Sequence, residues 1–355
     1  MKKKHTQKNY KVILLWLLLL LIALTIVAIG LGRYFISPVH VVKILFSRIF
    51  PVTPTWEPQA TGVIFTLRLP RILSALLVGM ALSLSGAAYQ GVFKNPLVAP
   101  DMLGVSAGAC VGASAAILLH FGQLGIQVAA FIGGIIAVAM ATAIPKFIRN
   151  QSMMTLVLAG VIVSGVMSSI LGLLKYLADP DTELSEITHW QLGSLSSSVW
   201  RDVIYVGPAI LLAALIILIM RWRINILSLG ENEAKSLGTD IQKSRGIIII
   251  CATVLTASAV CISGTIGWIG LVIPHFGRML VGPDNRKLIP VSALLGAAFL
   301  LLIDTAARNI TSAELPLSIL TGLIGAPFYF YLLVKSANKK SSRNLRTLKN
   351  LYRLN

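Results

Sequence analysis

Apolar runs of about 20 residues recur along almost the whole chain, and this repeat constrains the fold more than any other feature. A helix rises about 1.5 Å per residue, so some 20 apolar residues cross the roughly 30 Å hydrocarbon core of a bilayer. Lipid offers the backbone no hydrogen bonds, so only helices and closed barrels can span it. Runs this long and continuous read as helices. The sequence predicts about ten of them, near 12–33, 62–91, 96–119, 124–148, 153–177, 199–222, 244–263, 267–281, 288–308 and 314–335. Only Ser263-Gly264-Thr265-Ile266 separates the seventh from the eighth.

The charges then set the orientation. Of the 31 Lys and Arg residues, 23 fall in segments 1–11, 92–96, 146–152, 221–245, 278–287 and 335–355, leaving 8 elsewhere. Basic residues collect on the cytoplasmic side of a membrane, so these segments and both termini are placed inside. The run from Val12 to Gly32 follows Lys2, Lys3, Lys4, Lys8 and Lys11. Its length suits a retained span better than a cleavable signal of about 7–15 apolar residues. The organisation expected is one polytopic domain over 1–336 with a basic cytoplasmic tail over 337–355.

Composition excludes other classes. Charged residues make up 12% of the chain and hydrophobic ones 56%, whereas soluble domains carry about a quarter charged residues. The net charge of +18 lies in short clusters between apolar runs. No basic stripe or reading module for nucleic acid is present. Cys110, Cys251 and Cys261 sit inside apolar runs and read as small buried hydrophobes. The five histidines are scattered, and no metal-ligand cluster, catalytic constellation or phosphate-binding Gly-x-x-x-x-Gly-Lys loop occurs. The chain is not expected to be an enzyme or to bind a metal or a cofactor.

Ionisable residues at membrane depth are functional candidates. Asp304 and Arg308 lie four apart near the outer end of the ninth span, a spacing that lets them pair on one helical face. Arg68 and Arg71 flank Pro70 near the outer start of the second. Spans one, four, five, seven and ten show no midplane Asp, Glu or His of the kind a proton- or sodium-coupled carrier uses. Glycine and proline interrupt the runs at 79–100, 104–112 and 264–274. Breaks of this kind are tolerated where they line a cavity. The long internal connection 221–245 contains Leu229-Gly230-Glu231, Ala234 and Leu237-Gly238, and reads as a platform of short surface helices.

Three stretches together make a specific resemblance. The first runs from Arg68-Leu69-Pro70-Arg71 through Gly86-Ala87-Ala88-Tyr89-Gln90-Gly91 to Asn95-Pro96-Leu97-Val98-Ala99-Pro100 and Leu103-Gly104-Val105-Ser106-Ala107-Gly108. The second is Leu229-Gly230-Glu231 with Ala234 and Leu237-Gly238. The third joins Gly267-Trp268-Ile269-Gly270 and Pro274-His275 to Asp304-Thr305-Ala306-Ala307-Arg308 and Glu314-Leu315-Pro316. Over about residues 12–336 the chain resembles the FecCD family, permeases of type II ABC importers for iron-siderophore, haem and cobalamin.

The resemblance implies an all-α, ten-helix, cobalamin-importer-like permease in the cytoplasmic membrane, with a second copy forming a homodimer. It implies two ATPase subunits, which carry the ATP and Mg, seated on about 226–241 through Leu229, Gly230, Glu231, Ala234, Leu237 and Gly238. It implies an external solute-binding protein that docks on Arg68, Arg71 and Arg308. It implies an inner gate near Asn95 and Leu97, and near Met153 and Met154, where the family can carry small polar residues. The substrate expected is an iron(III)-siderophore or related chelate, with haem or cobalamin as alternatives. The rival outside the family is an ion-coupled secondary carrier.

Overall fold

The computed structural model describes residues 3–334 apart from 52, 150, 151, 231–233, 235, 239, 312, 332 and 333. No strand occurs among the described residues. In chain order the helices are α1 (Lys3–Gly30), α2 (Pro38–Phe46), α3 (Pro58–Val92), α4 (Val105–Leu118), α5 (Gln123–Phe147) and α6 (Met153–Leu177). Then come α7 (Glu183–Leu192), α8 (Trp200–Leu227), α9 (Ile241–Ser263), α10 (Ile269–Val281), α11 (Asn285–Ile310) and α12 (Leu317–Tyr331). Seven of these are long and apolar enough to cross a membrane: α1, α3, α5, α6, α8, α9 and α11. The shorter apolar helices α4, α10 and α12 stand where the third, eighth and tenth spans were expected. The tail 337–355 lies outside the described residues.

Burial sorts the long helices into an inner and an outer set. Of the most apolar window in α3 and in α9, 78% is buried, against 11% in α1 and 28% in α6. The outer helices show Leu, Ile and Val to lipid, where such side chains cost nothing. The inner helices cross at small residues, because apolar burial alone does not drive association in lipid and close backbone approach must supply the contact. A Cβ on Gly79 of α3 would lie 2.3 Å from the Gly296 carbonyl of α11, and one on Gly86 would lie 1.9 Å from the Gly270 carbonyl of α10. Gly108 of α4 and Gly133 of α5 meet in the same way at 2.3 Å. These crossings leave no room for a methyl group. A polar seam joins α3 to α9, where the Ser85 hydroxyl meets Thr256 at 2.7 Å and Tyr89 meets Thr253 at 3.2 Å.

Two departures from the expected helices have local causes. The third helix begins at Val105 and not near 96, because Pro96 and Pro100 lack N–H donors and Gly104 adopts φ +81. The Asn95 side chain accepts from Leu97 N at 2.9 Å, closing a turn instead of starting a helix. In α3, residues Val63–Arg68 form a π turn. That register would bond the Phe65 carbonyl to the N–H of residue 70, and Pro70 has none. The Trp200 indole of α8 donates to that carbonyl at 2.7 Å instead.

Candidate translocation path and docking face

α4 and α10, at 14 and 13 residues, are about 20 Å long at 1.5 Å per residue, too short to cross the hydrocarbon core. Their packing shows where they begin. Gly160 of α6 faces the Met102 carbonyl and Gly104 faces Ser164, so α4 starts some 10–16 Å along α6 from the cytoplasmic end. Gly270 packs on Gly86, six residues before α3 ends at Val92. Both half-helices therefore begin inside the membrane, α4 running outward and α10 running inward. Half-helices with N-termini at membrane depth are a construction that transporters use at substrate paths.

The two breaks touch. The Gln90 amide donates to the carbonyls of Val98 and of Gly270, each at 3.2 Å. The Pro100 ring lies where a Gly270 side chain would project. The Asp101 carboxylate accepts from Ser106 N at 2.7 Å and so caps the first turn of α4. Trp268, just before α10, holds φ +70, a costly conformation for a residue with a side chain. Its body fills the notch left by Gly325 of α12, whose own Cβ would lie 2.6 Å from that of Trp268.

On the external side, α7 closes over these elements. The Thr265 hydroxyl donates to Gln191 O, the Ser318 hydroxyl to Leu192 O, and Leu317 N to Gly193 O. The end of α7 is thereby fastened to the break before α10 and to the start of α12. A hollow of about 250 Å³ lies beside it, lined by Gln127, Glu186, His189 and Ser263 together with Trp190 and Ile262.

The three external arginines form a knot, with Arg68 and Arg71 buried and Arg308 half-buried. Arg68 is 6% exposed and donates to the carbonyls of Ile29, Gly30 and Tyr34. Arg308 donates to Ala28 O. Between them they satisfy the carbonyls that the end of α1 leaves without intrahelical partners. Gly32, at φ +149, is the residue that lets Arg68 approach, since a Cβ there would lie 2.6 Å from the guanidinium. Asp304 pairs with Arg71, not with Arg308 as the four-residue spacing suggested. Arg71 donates to Asp304 through Nε at 2.9 Å and Nη2 at 2.8 Å, and through Nη1 to Glu314 at 2.8 Å. Asp304 is fully buried and Arg71 9% exposed. A bidentate fork suits the geometry of Arg71 reaching from α3, while Arg308 turns toward α1. Outside the spans, burial pushes the Glu314 carboxyl upward. The hydrogen bond and charge of Arg71, with Arg308 and Arg33, outweigh burial and hold it below the ordinary glutamate range.

On the cytoplasmic side Leu229 and Leu237 are 62% and 60% exposed, while Ala234 is fully buried. Ala234 N donates to Gly230 O, and Gly238 sits at φ +70. Glu231 lies outside the described residues. Asp240 caps α9 by accepting from Lys243 N. At the inner mouth Leu97 is 51% and Met154 67% exposed, with Met153 half-buried and Ser152 capping α6. Two apolar side chains thus face outward at each end of this inner surface, one pair on the platform and one pair by the breaks.

The comparisons with known proteins bear directly on this architecture. The family model described as the FecCD transport family matches residues 19–335. The chain belongs to that family. It is 40% identical to the molybdate import system permease protein MolB of Haemophilus influenzae, over 92% of this chain and 96% of that one. It is 42% identical to a probable iron chelatin transport system permease protein of Helicobacter pylori, over 77% of this chain and 83% of that one. Among solved structures, a metal-chelate type ABC transporter in an inward-facing conformation superposes with TM-score 0.82 at 40% identity, covering 91% of this chain and 99% of the other. As a FecCD protein, the chain is a multi-pass membrane permease subunit of a type II ABC importer.

Two features of this permease escaped the sequence reading. Asp101 was absorbed into an expected span, although Pro100-Asp101 three residues before Gly104 marks a capped helix start. Gln90 stands in the first stretch of the resemblance with no role of its own, and its tie to Gly270 spans 180 residues of sequence.

Proposed function

We propose that this permease moves an iron(III)-siderophore or related metal chelate into the cytoplasm as a homodimer. Two separate ATPase subunits bind and hydrolyse ATP with Mg, so the chain itself is neither an enzyme nor a cofactor carrier. They seat on the platform about 226–241 through Leu229, Gly230, Glu231, Ala234, Leu237 and Gly238, with Leu229 and Leu237 exposed. An external solute-binding protein docks on the face braced by Arg68, Arg71 and Arg308. Closure of the ATPases rocks the half-helices between outward- and inward-open states, with Asn95, Leu97, Met153 and Met154 at the inner gate.

The observation that carries this reading is the 40% identity and TM-score 0.82 to a metal-chelate type transporter over nearly the whole chain. The MolB match gives a second reading, molybdate. Haem and cobalamin remain substrates of the same class.

The test is uptake into liposomes holding the permease with its ATPases, supplied in turn with ferric siderophore, haem, cobalamin and molybdate and the matching binding proteins. ATP-dependent uptake of a ferric chelate is the expected result. ATP-dependent uptake of molybdate alone would establish the second reading. Uptake that ignores ATP and follows an imposed ion gradient would overturn the importer assignment in favour of a secondary carrier.

A further inference from the structure

A groove of about 750 Å³ opens between the cytoplasmic ends of α1 and α8, with no role in the path described above. Its walls are Leu18 of α1 with Leu218 and Ile219 of α8, and Pro290 of α11 lines it as well. At its cytoplasmic rim stand Tyr10, Lys11 and Arg221. We propose that this groove is a binding site for an anionic phospholipid of the inner leaflet, the acyl chain lying between α1 and α8 and the phosphate between Lys11 and Arg221.

Several independent features agree on that occupant. α1 runs outward from an internal N-terminus and α8 runs inward, so both basic residues fall at the same membrane surface, the one that carries anionic lipid. Both are exposed, and neither has a carboxylate partner among the described residues. The acidic group whose field reaches Tyr10, Asp284, is committed to Arg286 at 3.0 Å. Arg286 in turn lies 4.9 Å from the ring centre of Trp222. Tyr10 and Trp222 therefore mark the headgroup level, where aromatic side chains with a polar edge collect. Below that level the groove is apolar and continuous with the exposed leucines of α1. A soluble anion would have no use for that apolar depth, and a neutral lipid would have none for the paired cations.

Each basic side chain near an anionic surface contributes on the order of a fivefold preference, so two predict roughly twenty-fivefold. Native mass spectrometry of the detergent-solubilised permease with its ATPases reads this directly. Phosphatidylglycerol and phosphatidylcholine of identical chains are supplied in equal amounts. The wild type is expected to retain one phosphatidylglycerol per permease chain with about that preference. Lys11→Gln with Arg221→Gln should bring the preference close to one, and Leu218→Trp, which keeps both charges, should abolish retention by filling the groove. Arg201→Gln, on the external side, should change nothing. Equal retention of the two lipids by wild type, or undiminished preference in the double variant, would overturn the site. So would splitting of the permease dimer by Leu218→Trp, since that outcome would place a second copy in the groove.

Discussion

The external knot and the midplane crossing hold the same helices together by opposite means. At the knot, Arg71 grips Asp304 and Glu314, while Arg68 and Arg308 cap α1. Those bonds are directional and charged, in a setting where losing one partner strands another. At the crossing, Gly79, Gly86, Gly296 and Gly270 press backbone to backbone with almost no directional bonds. A contact built from dispersion tolerates a small slide or rotation, whereas a bidentate ion pair does not. If the importer rocks as proposed, the knot is suited to act as the fixed frame and the crossing as the bearing. At the bearing's centre the Gln90 amide reaches Val98 O and Gly270 O at 3.2 Å each.

The comparison can be broken most forcefully at the crossing. Gly86→Leu puts a side chain where even a Cβ would lie 1.9 Å from the Gly270 carbonyl. Folded permease should be lost from the membrane, as read by size-exclusion profile of a fluorescent fusion; normal yield would show that the crossing is looser than described. Next in size is the knot. Asp304→Asn leaves the buried Arg71 charge with Glu314 alone and should cost about 3–5 kcal/mol, seen as a lowered melting temperature in detergent. Asp304→Leu with Arg71→Met should recover much of that loss, because the stranded charge is gone.

A third change leaves both regions intact. Glu231→Arg with Glu233→Arg on the platform should weaken ATPase association without altering melting temperature; an assembly that resists salt washing unchanged would move the platform elsewhere. The smallest effect is expected at the edge of the knot. Glu314 has a depressed folded-state pKa, so its contribution is complete above the ordinary glutamate range of about 4.3 and fades as pH falls through the folded-state value. With its side chain 35% exposed, that contribution is screened and small. Glu314→Gln should flatten the acid limb of the melting profile and leave neutral pH almost unchanged.

How much of this was legible beforehand follows from the range of each interaction. The span at 153–177 is the observed α6, and most others end within a few residues of their helices, because bilayer thickness acts on local sequence. The break after residue 263 was visible in Ser263-Gly264-Thr265-Ile266. The late start of α4 was not, since Asn95 and Gly104 act through turn geometry inside an otherwise apolar run. The partner of Asp304 was misread for a different reason. Arg308 is four residues away and Arg71 is 233, and helical spacing cannot weigh a contact made only by tertiary packing. Arg68 and Arg308 stand out in the sequence near the outer ends of their spans, but their bonds to the carbonyls of α1 depend on where α1 ends.

The frame-and-bearing account is tested most directly by paired spin-label distances in the assembled importer, with and without trapped ATP. Cys110, Cys251 and Cys261 are buried, so labels at introduced surface cysteines report cleanly. One pair, Leu31→Cys with Ile310→Cys, sits on the exposed rim of the knot, and the other, Leu97→Cys with Met154→Cys, at the inner mouth. The account predicts that nucleotide shifts the inner-mouth distances while the rim distances stay fixed. Equal shifts at both pairs, or movement confined to the rim, would contradict it.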